Sequence, residues 1–436
     1  MKFISIKKHF HKKNIYDLLW LIFGQGVTFV LGIFITKQIS KIGPEEFGKY
    51  SLILTIQGFI NLVYFGPAEQ SFLRFFYDYE KKGDAHAYTK LMVQFLRNSG
   101  VSILFLFVLA GIYLQIALGG YLFLYLSAIG LFLMMTLINP LLISFLNLLK
   151  YRKINSVLQI GERVLAYSTL LLFYWWISPS ITIILFSFSF SLLVIIVYRV
   201  FFISKIIPFQ VQIKTGFRHE VFKKILIFSS PFLLWGIASW LQMYSEKWII
   251  LQYLGGVVLG KYSFIYTIAN IFIVIPYGVI SQFIIPSIYE KSNDLKNEAN
   301  LKQISFFLLL FVGVLGIITL IALFITSLFG RQLILFLGNP LFEDAWTMLP
   351  ILCLGLGLFY VGQALSTLGM SLNVPRIYLK PKIITGVIAV VGNYFVVRLY
   401  GIEGIVYGLV FIGLFYLSSI IIVNKALLVR LKSLTI

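Results

Sequence analysis

The sequence is poor in charge and in cysteine. Asp, Glu, Lys and Arg make up 12% of its 436 residues, and Cys353 is the only cysteine. A single cysteine cannot form a disulfide within the chain or supply a cluster of thiolate metal ligands. Soluble domains carry about 25% charged residues, whereas 59% of this chain is apolar and its mean hydropathy is +0.93. A fold in water cannot hide that much apolar surface, so a soluble enzyme is excluded.

Several motifs that carry chemistry are missing too. The chain has no G-x-x-x-x-G-K-[ST] loop, which argues against ATP hydrolysis by this protein. None of its four histidines has the spacing of a metal-binding motif; they are His9, His11, His86 and His219. We therefore expect neither a metal nor another cofactor.

Long apolar runs dominate what is present. Strands of outer-membrane barrels alternate apolar and polar residues, but these runs are continuously apolar and close to or above the ~20 residues of a membrane helix. We count twelve such runs and predict an all-α polytopic membrane protein with twelve transmembrane helices. Pro276 and Pro286 lie inside the eighth run, and we expect them to interrupt its helix.

Lys and Arg are distributed unequally between the two sides of the predicted membrane. With the N-terminus in the cytoplasm, 28 of the 36 fall on the cytoplasmic side. They include those of the predicted loop between spans two and three, Arg74–Arg97, and of the segments Arg199–Lys224 and Arg376–Lys382. This asymmetry predicts that both termini are cytoplasmic. The net charge of +20 is thereby spread over seven separate segments, which argues against nucleic-acid binding.

The chain repeats itself at an offset of 212 residues. The segment Gly48–Ile56 reads GKYSLILTI, and Gly260–Ile268 reads GKYSFIYTI, with seven of nine positions identical. The register continues without a gap, and ten of the 28 positions from Gly43 to Gln70 are identical to their partners. Apolar composition alone does not produce a shared Gly-Lys-Tyr-Ser, so we interpret the repeat as a duplication.

The duplication predicts the organisation of the chain. Each half holds six spans, an even number, so both halves enter the membrane in the same sense as parallel repeats. We predict two six-helix bundles, residues 1–204 and 225–436, joined by a cytoplasmic linker, residues 205–224. The alignment also predicts that span one ends near Ile42–Gly43 and that span seven runs to Leu254–Gly255, which places Glu246 and Lys247 inside a helix.

A family resemblance rests on short motifs in both halves. They are Phe47-Gly48-Lys49-Tyr50 after a glycine turn, Phe65-Gly66 in the span that continues to Arg74, Glu246-Lys247, Leu254-Gly255 and Gly260-Lys261-Tyr262. This pattern resembles the polysaccharide-biosynthesis or O-antigen (Wzx-like) flippases of the multidrug/oligosaccharidyl-lipid/polysaccharide exporter superfamily.

The resemblance implies a MATE-like fold with a central, often cationic, cavity between the bundles. It implies a monomeric transporter of the bacterial inner membrane and not an enzyme. Its substrate would be undecaprenyl-pyrophosphate-linked oligosaccharide, a precursor of lipopolysaccharide O-antigen or another surface glycan. Alternating access would carry this substrate from the cytoplasmic to the outer leaflet, driven by H⁺, Na⁺ or the membrane potential.

Charged residues inside the spans are the first candidates for a site, because a charge in the membrane costs at least ~2.5 kcal/mol. Arg163 either binds the anionic substrate or forms an ion pair between helices. Lys247 either binds substrate or extends to the outer interface. Glu162 and Glu246 are candidates for coupling to H⁺ or Na⁺. Arg74, at the cytoplasmic end of span two, either meets the pyrophosphate first or only sets topology.

Uncharged polar residues form the second set. Gln57 and Asn61 are spaced i,i+4 on one helical face and could bind sugar hydroxyls or connect helices. Gln70 and Gln282 occupy equivalent positions of the repeat.

Two other functions remain open. A drug/cation antiporter of the MATE type predicts a cavity rich in carboxylates, but the few acids within spans each adjoin a base. A membrane glycan polymerase needs an acid or base at the outer face. The outer acidic pairs Glu45-Glu46 and Glu343-Asp344 lie in short turns, where solvated charge is the simpler interpretation.

Overall fold

The computed structural model describes residues 20, 23–119, 122–207, 215–292, 298–372 and 374–434. These residues form helices and short connections and contain no strand, as the continuous apolar runs predict. Three short 3₁₀ turns, Ser40–Ile42, Pro340–Ala345 and Pro375–Tyr378, precede longer helices. The helices are α1 (23–39), α2 (Pro44–Lys81), α3 (Ala85–Leu118), α4 (Leu122–Leu148), α5 (Arg152–Trp176), α6 (Ile181–Ile206), α7 (Thr215–Ser292), α8 (Glu298–Leu337), α9 (Met348–Ser371) and α10 (Leu379–Leu434).

Glycines interrupt the two longest helices. Gly255 breaks α7 with a φ of 84°, and Gly401 breaks α10 with a φ of 58°. Only glycine adopts such left-handed backbone at little cost. Gly43, the repeat partner of Gly255, also has a φ of 84° and separates α1 from α2. The break in α7 therefore lies where the repeat predicts it.

Two expectations about loops and breaks are wrong. The predicted loop between spans two and three is mostly helical, because α2 continues to Lys81 and α3 begins at Ala85. The helix of span eight is not interrupted, since α7 continues through Pro276 and Pro286 to Ser292. Proline is tolerated inside membrane helices because neighbouring groups satisfy the freed carbonyls.

The contacts divide the chain into two compact units. Unit 1 comprises the described parts of 1–42 and 53–234, and unit 2 those of 43–52 and 235–436. The division into bundles 1–204 and 225–436 with a linker at 205–224 stays a prediction, although α7 already begins at Thr215.

Unit 1 is built around α4. This helix packs against α3 and α6, and α6 packs against α5. The first turns of α7 also belong to unit 1, because Ser229 Oγ lies 2.7 Å from Ser71 Oγ and Phe228 packs 5.3 Å from Phe75 between ring centroids.

In unit 2, α9 packs against both α8 and α10. Glycines on α9 allow the close approach of α10: a Cβ at Gly355 would lie 3.0 Å from Leu409, and one at Gly362 would lie 2.8 Å from Tyr416. Small residues at helix contacts are typical of membrane proteins, where close packing replaces the hydrophobic effect between helices.

A second close contact in unit 2 joins the start of α2 to the part of α7 after its break. A Cβ at Gly48 would lie 2.7 Å from the carbonyl oxygen of Gly256, and Gly260 packs against the carbonyl of Pro44. Ser51 Oγ and Ser263 Oγ form a hydrogen bond of 2.8 Å. We call this contact the repeat seam, because Gly48 and Gly260 are partners in the repeat, and so are Ser51 and Ser263.

Eight helices among the described residues are long and apolar enough to cross a membrane. Two of them, Phe232–Tyr289 and Pro375–Val429, have 58 and 55 residues, more than twice the ~20 that one crossing needs. This result agrees with a multi-pass membrane protein but does not establish twelve spans.

Candidate functional site

The buried charges of unit 2 begin with Glu246 and Lys247 on α7. The repeat predicts that both lie within a helix, and both are 6% exposed or less. Lys247 Nζ lies 5.3 Å from the ring centroid of Tyr266 and 5.9 Å from that of Tyr244. Aromatic faces attract a cation by roughly 0.5–2 kcal/mol, which offsets part of the cost of burying Lys247.

Unsatisfied polar atoms surround this pair. Glu246 Oε1 has no hydrogen-bond partner in the described structure, and neither do Ser245 Oγ, Tyr262 Oη or the two amide atoms of Gln242. Buried polar groups in folded proteins are nearly always hydrogen-bonded. A cluster of five such atoms therefore indicates a place that a polar ligand or an ion can occupy.

A second buried lysine lies on α10. Lys382 is 1% exposed, and its Nζ is 5.0 Å from the ring centroid of Phe359, 5.3 Å from Tyr416 and 6.0 Å from Trp235. No described carboxylate forms an ion pair with it. An ammonium group held only by aromatic rings in the interior is a candidate site for an anion.

Sequence reasoning missed Lys382 because it assigned the residue to the loop Arg376–Lys382. The helix α10 begins at Leu379, so Lys382 lies in its first turn and is covered by α9 and α7. Pro381 is the signal that could have found it, since proline is favoured in the first turn of a helix.

Aromatic side chains form a row beside Lys382. Phe359 stacks on Tyr416 at 4.9 Å, and Tyr360 lies 5.3 Å from Phe359 and 4.7 Å from Tyr277. Tyr360 also lies close to Tyr266 and Tyr244, the two rings beside Lys247. The two buried lysines of unit 2 thus lie near the two ends of one aromatic row, which we call the lysine–aromatic row.

Unit 1 contains a different buried polar group. Glu162 on α5 accepts a hydrogen bond of 3.0 Å from Asn139 Nδ2 on α4 and pairs with Arg199 Nη1 on α6 at 3.6 Å. Arg199 also donates to Asn139 Oδ1. This arrangement matches the alternative of an ion pair between helices, with Arg199 and not Arg163 involved.

Arg199 corrects the count of loop charges. The charge count assigns it to the cytoplasmic segment Arg199–Lys224, yet it lies inside α6 and is fully buried. Its Nε and Nη2 have no hydrogen-bond partner among the described residues. The apolar run Ile181–Ile203 extends past Arg199, and this was the signal that the arginine belongs to the span.

The other candidates of unit 1 are less enclosed. Arg163 is half-buried and Arg74 is exposed, and neither forms an ion pair in the described part of the chain. Gln57 is half-buried and Gln70 is exposed. In unit 2, Gln282 is exposed on α7. Of all the predicted site residues, only Glu246 and Lys247 lie within the polar and aromatic surroundings described above.

Asn61 occupies an unusual position. Residues Asn61–Phe65 form a π-helical turn inside α2, closed by a hydrogen bond from the N–H of Gly66 to the carbonyl of Asn61. Pro67 follows and has no N–H for the α-helical bond to Val63, which is a local reason for the wider turn. Such turns occur frequently at functional sites.

The acidic pairs Glu45-Glu46 and Glu343-Asp344 are engaged in ion pairs. Lys49 Nζ lies 3.3 Å from Glu45 and 2.7 Å from Glu46. Glu343 pairs with Arg331 and Asp344 with Lys261, each at 2.5 Å. These carboxylates are half-buried or exposed, and each has a basic partner. The residues that the structure describes hold no group of three or more metal-ligating side chains.

Sequence comparison decides the family. Residues 14–292 match the family described as "Polysaccharide biosynthesis protein". The chain belongs to the polysaccharide biosynthesis protein family. A search among curated proteins gives no significant match to this family member.

Comparison with solved structures gives the fold of this polysaccharide biosynthesis protein. An inward-facing multidrug resistance MATE transporter of the MOP superfamily aligns with a TM-score of 0.73 at 15% identity, over 93% of this chain and 95% of that chain. A MOP superfamily transporter from Pyrococcus furiosus aligns with a TM-score of 0.66 at 16% identity, over 98% and 97% of the two chains. At such identities the likeness shows a shared MATE-like fold.

Proposed function

We propose that this chain is a flippase that moves undecaprenyl-pyrophosphate-linked oligosaccharide from the cytoplasmic to the outer leaflet of the bacterial inner membrane by alternating access. The lysine–aromatic row carries the proposal. Lys247 and Lys382 are both buried in unit 2, and Glu246 is the only buried carboxylate among the residues of this unit that the structure describes. Buried positive charge in aromatic surroundings suits an anionic glycolipid, because ammonium groups attract phosphates and aromatic faces pack on sugar rings.

The topology we propose has twelve spans and both termini in the cytoplasm. The eight apolar helices give ten crossings when those broken at Gly255 and Gly401 are counted twice. Helix α1 and the charged helix α5 supply the other two. The excess of Lys and Arg on one side supports this orientation.

Transport outward moves negative charge out of a cell that is negative inside, which is favoured by ~2.3 kcal/mol per charge per 100 mV. Glu246, with one carboxylate oxygen unpartnered, is the better candidate for additional coupling to H⁺ or Na⁺. Glu162 is already engaged by Arg199 and Asn139.

A glycan assay tests this function. In a host that lacks its own copy of the gene, we expect Lys247→Ala and Lys382→Ala each to abolish surface glycan while membrane levels of the protein stay normal. Lys380→Ala is the matched control, because Lys380 is an exposed lysine two residues before Lys382. Arg163→Ala tests the remaining candidate cation of unit 1 in the same assay.

The same strains separate the alternatives. Normal glycan in the Lys247→Ala/Lys382→Ala double variant contradicts the cationic site. Resistance to cationic drugs upon overexpression, without any effect on glycan, would instead indicate a MATE-type antiporter. We include this alternative because the chain shares its fold with MATE transporters. The scarcity of buried carboxylates in the described part of unit 2 argues against it.

A further inference from the structure

A groove runs along the surface of unit 1, apart from the lysine–aromatic row. It has a volume of about 500 Å³ and lies between the π-turn of α2, residues 91–106 of α3 and the first turns of α7. Tyr64 Oη and Ser99 Oγ are 3.0 Å apart and fix α2 to α3 on one side. Phe95 and Phe222, 6.5 Å apart between ring centroids, connect α3 to α7 on the other.

The groove changes from polar to apolar along α3. Gln94, Asn98 and Ser102 are spaced by four residues, share one helical face and line the groove, followed by Ile103 and Leu106. Asn98 and Ser102 are exposed, although α3 is one of the helices apolar enough to cross a membrane. Polar groups that face hydrocarbon are costly unless a partner satisfies them.

The side chains of Gln94, Asn98 and Ser102, which we call the polar stripe, can donate hydrogen bonds. Asn98 Oδ1 accepts from Arg97 Nε at 3.3 Å, which leaves the amide NH₂ of Asn98 to donate. Neither Gln94 nor Ser102 has a side-chain hydrogen bond in the described structure. A ligand in this part of the groove would therefore meet donors from all three residues and would need acceptor oxygens.

The polar end of the groove contains a cation. Arg218 lines the groove, with its guanidinium 5.8 Å from the ring of Phe222, and forms no ion pair with any described residue. The neighbouring Phe217 packs on Tyr79, which stacks on Tyr88 near the start of α3. Arg218 therefore lies toward the start of α3, and Leu106 lies roughly 20 Å away along the helix at 1.5 Å per residue.

We propose that this groove is a binding site for an anionic glycerophospholipid. Along the groove, a cation, a polar segment and an apolar segment follow one another, as the phosphate, the ester groups and the acyl chains do in the lipid. The phosphate would lie against Arg218, the ester carbonyls against the polar stripe, and an acyl chain along Ile103 and Leu106. A polyprenyl phosphate has no acceptor oxygens below its phosphate, so it leaves the polar stripe unsatisfied. The proposal is independent of the flippase function.

Native mass spectrometry of the full-length purified protein tests the site. We expect tighter binding of dioleoyl phosphatidylglycerol than of dioleoyl phosphatidylcholine, and a loss of about fivefold in affinity for the former in Arg218→Ala, the usual effect of one arginine at a lipid surface. Lys223→Ala, an exposed cation on the same helix outside the groove, is expected to bind as the wild type does.

An ether-linked phosphatidylglycerol, which lacks the ester carbonyls, tests the polar stripe. We expect it to bind less tightly than the ester lipid to the wild type, and the two to bind equally to Asn98→Leu/Ser102→Leu. Both sites of substitution are exposed, so a thermal unfolding curve like that of the wild type is expected to show that the variant folds.

Three results would overturn the proposal. The first is that Arg218→Ala binds phosphatidylglycerol as tightly as the wild type does. The second is that the wild type binds the ether and ester lipids equally. The third is that undecaprenyl phosphate binds more tightly than phosphatidylglycerol in competition. The last result would assign the groove to a polyprenyl lipid.

Discussion

At the scale of single residues, charge burial separates two kinds of polar group in this protein. Arg199 has a carboxylate and an amide as partners, whereas Lys247 and Lys382 have mainly aromatic rings. A buried charge that keeps its counter-ion stabilises the fold only through that pairing. Lys382 has no such partner among the described residues, and our proposal assigns substrate binding to it and to Lys247 and a structural role to Arg199.

The Glu162–Arg199 pair gives a prediction about stability. Glu162→Gln leaves the fully buried Arg199 without a counter-charge, and breaking a buried pair in this way costs about 3–5 kcal/mol. We expect a clearly lower midpoint of thermal unfolding in detergent. The double variant Glu162→Gln/Arg199→Met removes the unpaired charge and should recover most of the lost thermal stability. If the single variant unfolds at the wild-type temperature, the pair is not structural.

At the scale of helices, glycine determines where two helices can meet. In the repeat seam, Gly48 and Gly260 bring backbone against backbone, and Gly43 and Gly255 end the preceding helices. The sequence signals for both features were visible, because the glycines recur at the same offset in both halves.

Substitution at the seam tests this packing. A Cβ at Gly48 would lie 2.7 Å from the carbonyl oxygen of Gly256, and backbone cannot move aside as a flexible side chain can. We expect Gly48→Ala to cost about 1–3 kcal/mol, measured by thermal or chemical unfolding. Gly32→Ala on α1 is the control, since nothing lies within 4 Å of that Cβ. Equal stability of the two variants would show that the seam is not closely packed.

At the scale of the whole chain, the duplication brings partner residues into direct contact. Ser51 and Ser263 are 212 positions apart and hydrogen-bond to each other. Both residues belong to unit 2, so the start of α2 packs within that unit on the segment that repeats its own sequence.

A disulfide tests the contact between Ser51 and Ser263. In a Cys353→Ala background, Ser51→Cys/Ser263→Cys should oxidise readily, because the two serine oxygens are 2.8 Å apart and a disulfide needs side chains that approach this closely. After cleavage of the chain between the two positions, the fragments should stay joined until reduction. The pair Ser51→Cys/Thr267→Cys, one helical turn away, should cross-link much more weakly; equal cross-linking of both pairs would contradict the assignment.

The sequence by itself determined the class of protein, the helical fold, the repeat and the helix break at Gly255. These follow from composition and from periodic patterns, which act over short distances along the chain. It also identified Glu246 and Lys247 as charges within a helix. The roles of the predicted site residues stay proposals.

Only the tertiary structure decided which charges are buried and what surrounds them. The apolar run past Arg199 and Pro381 before Lys382 indicate that the two basic residues belong to helices, but not whether their side chains are buried. Their burial depends on neighbouring helices: α4 and α5 around Arg199, and Phe359 of α9 and Trp235 of α7 around Lys382. Contacts between segments far apart in the chain leave no local pattern, and for this reason the lysine–aromatic row and the lipid groove became visible only in the folded protein.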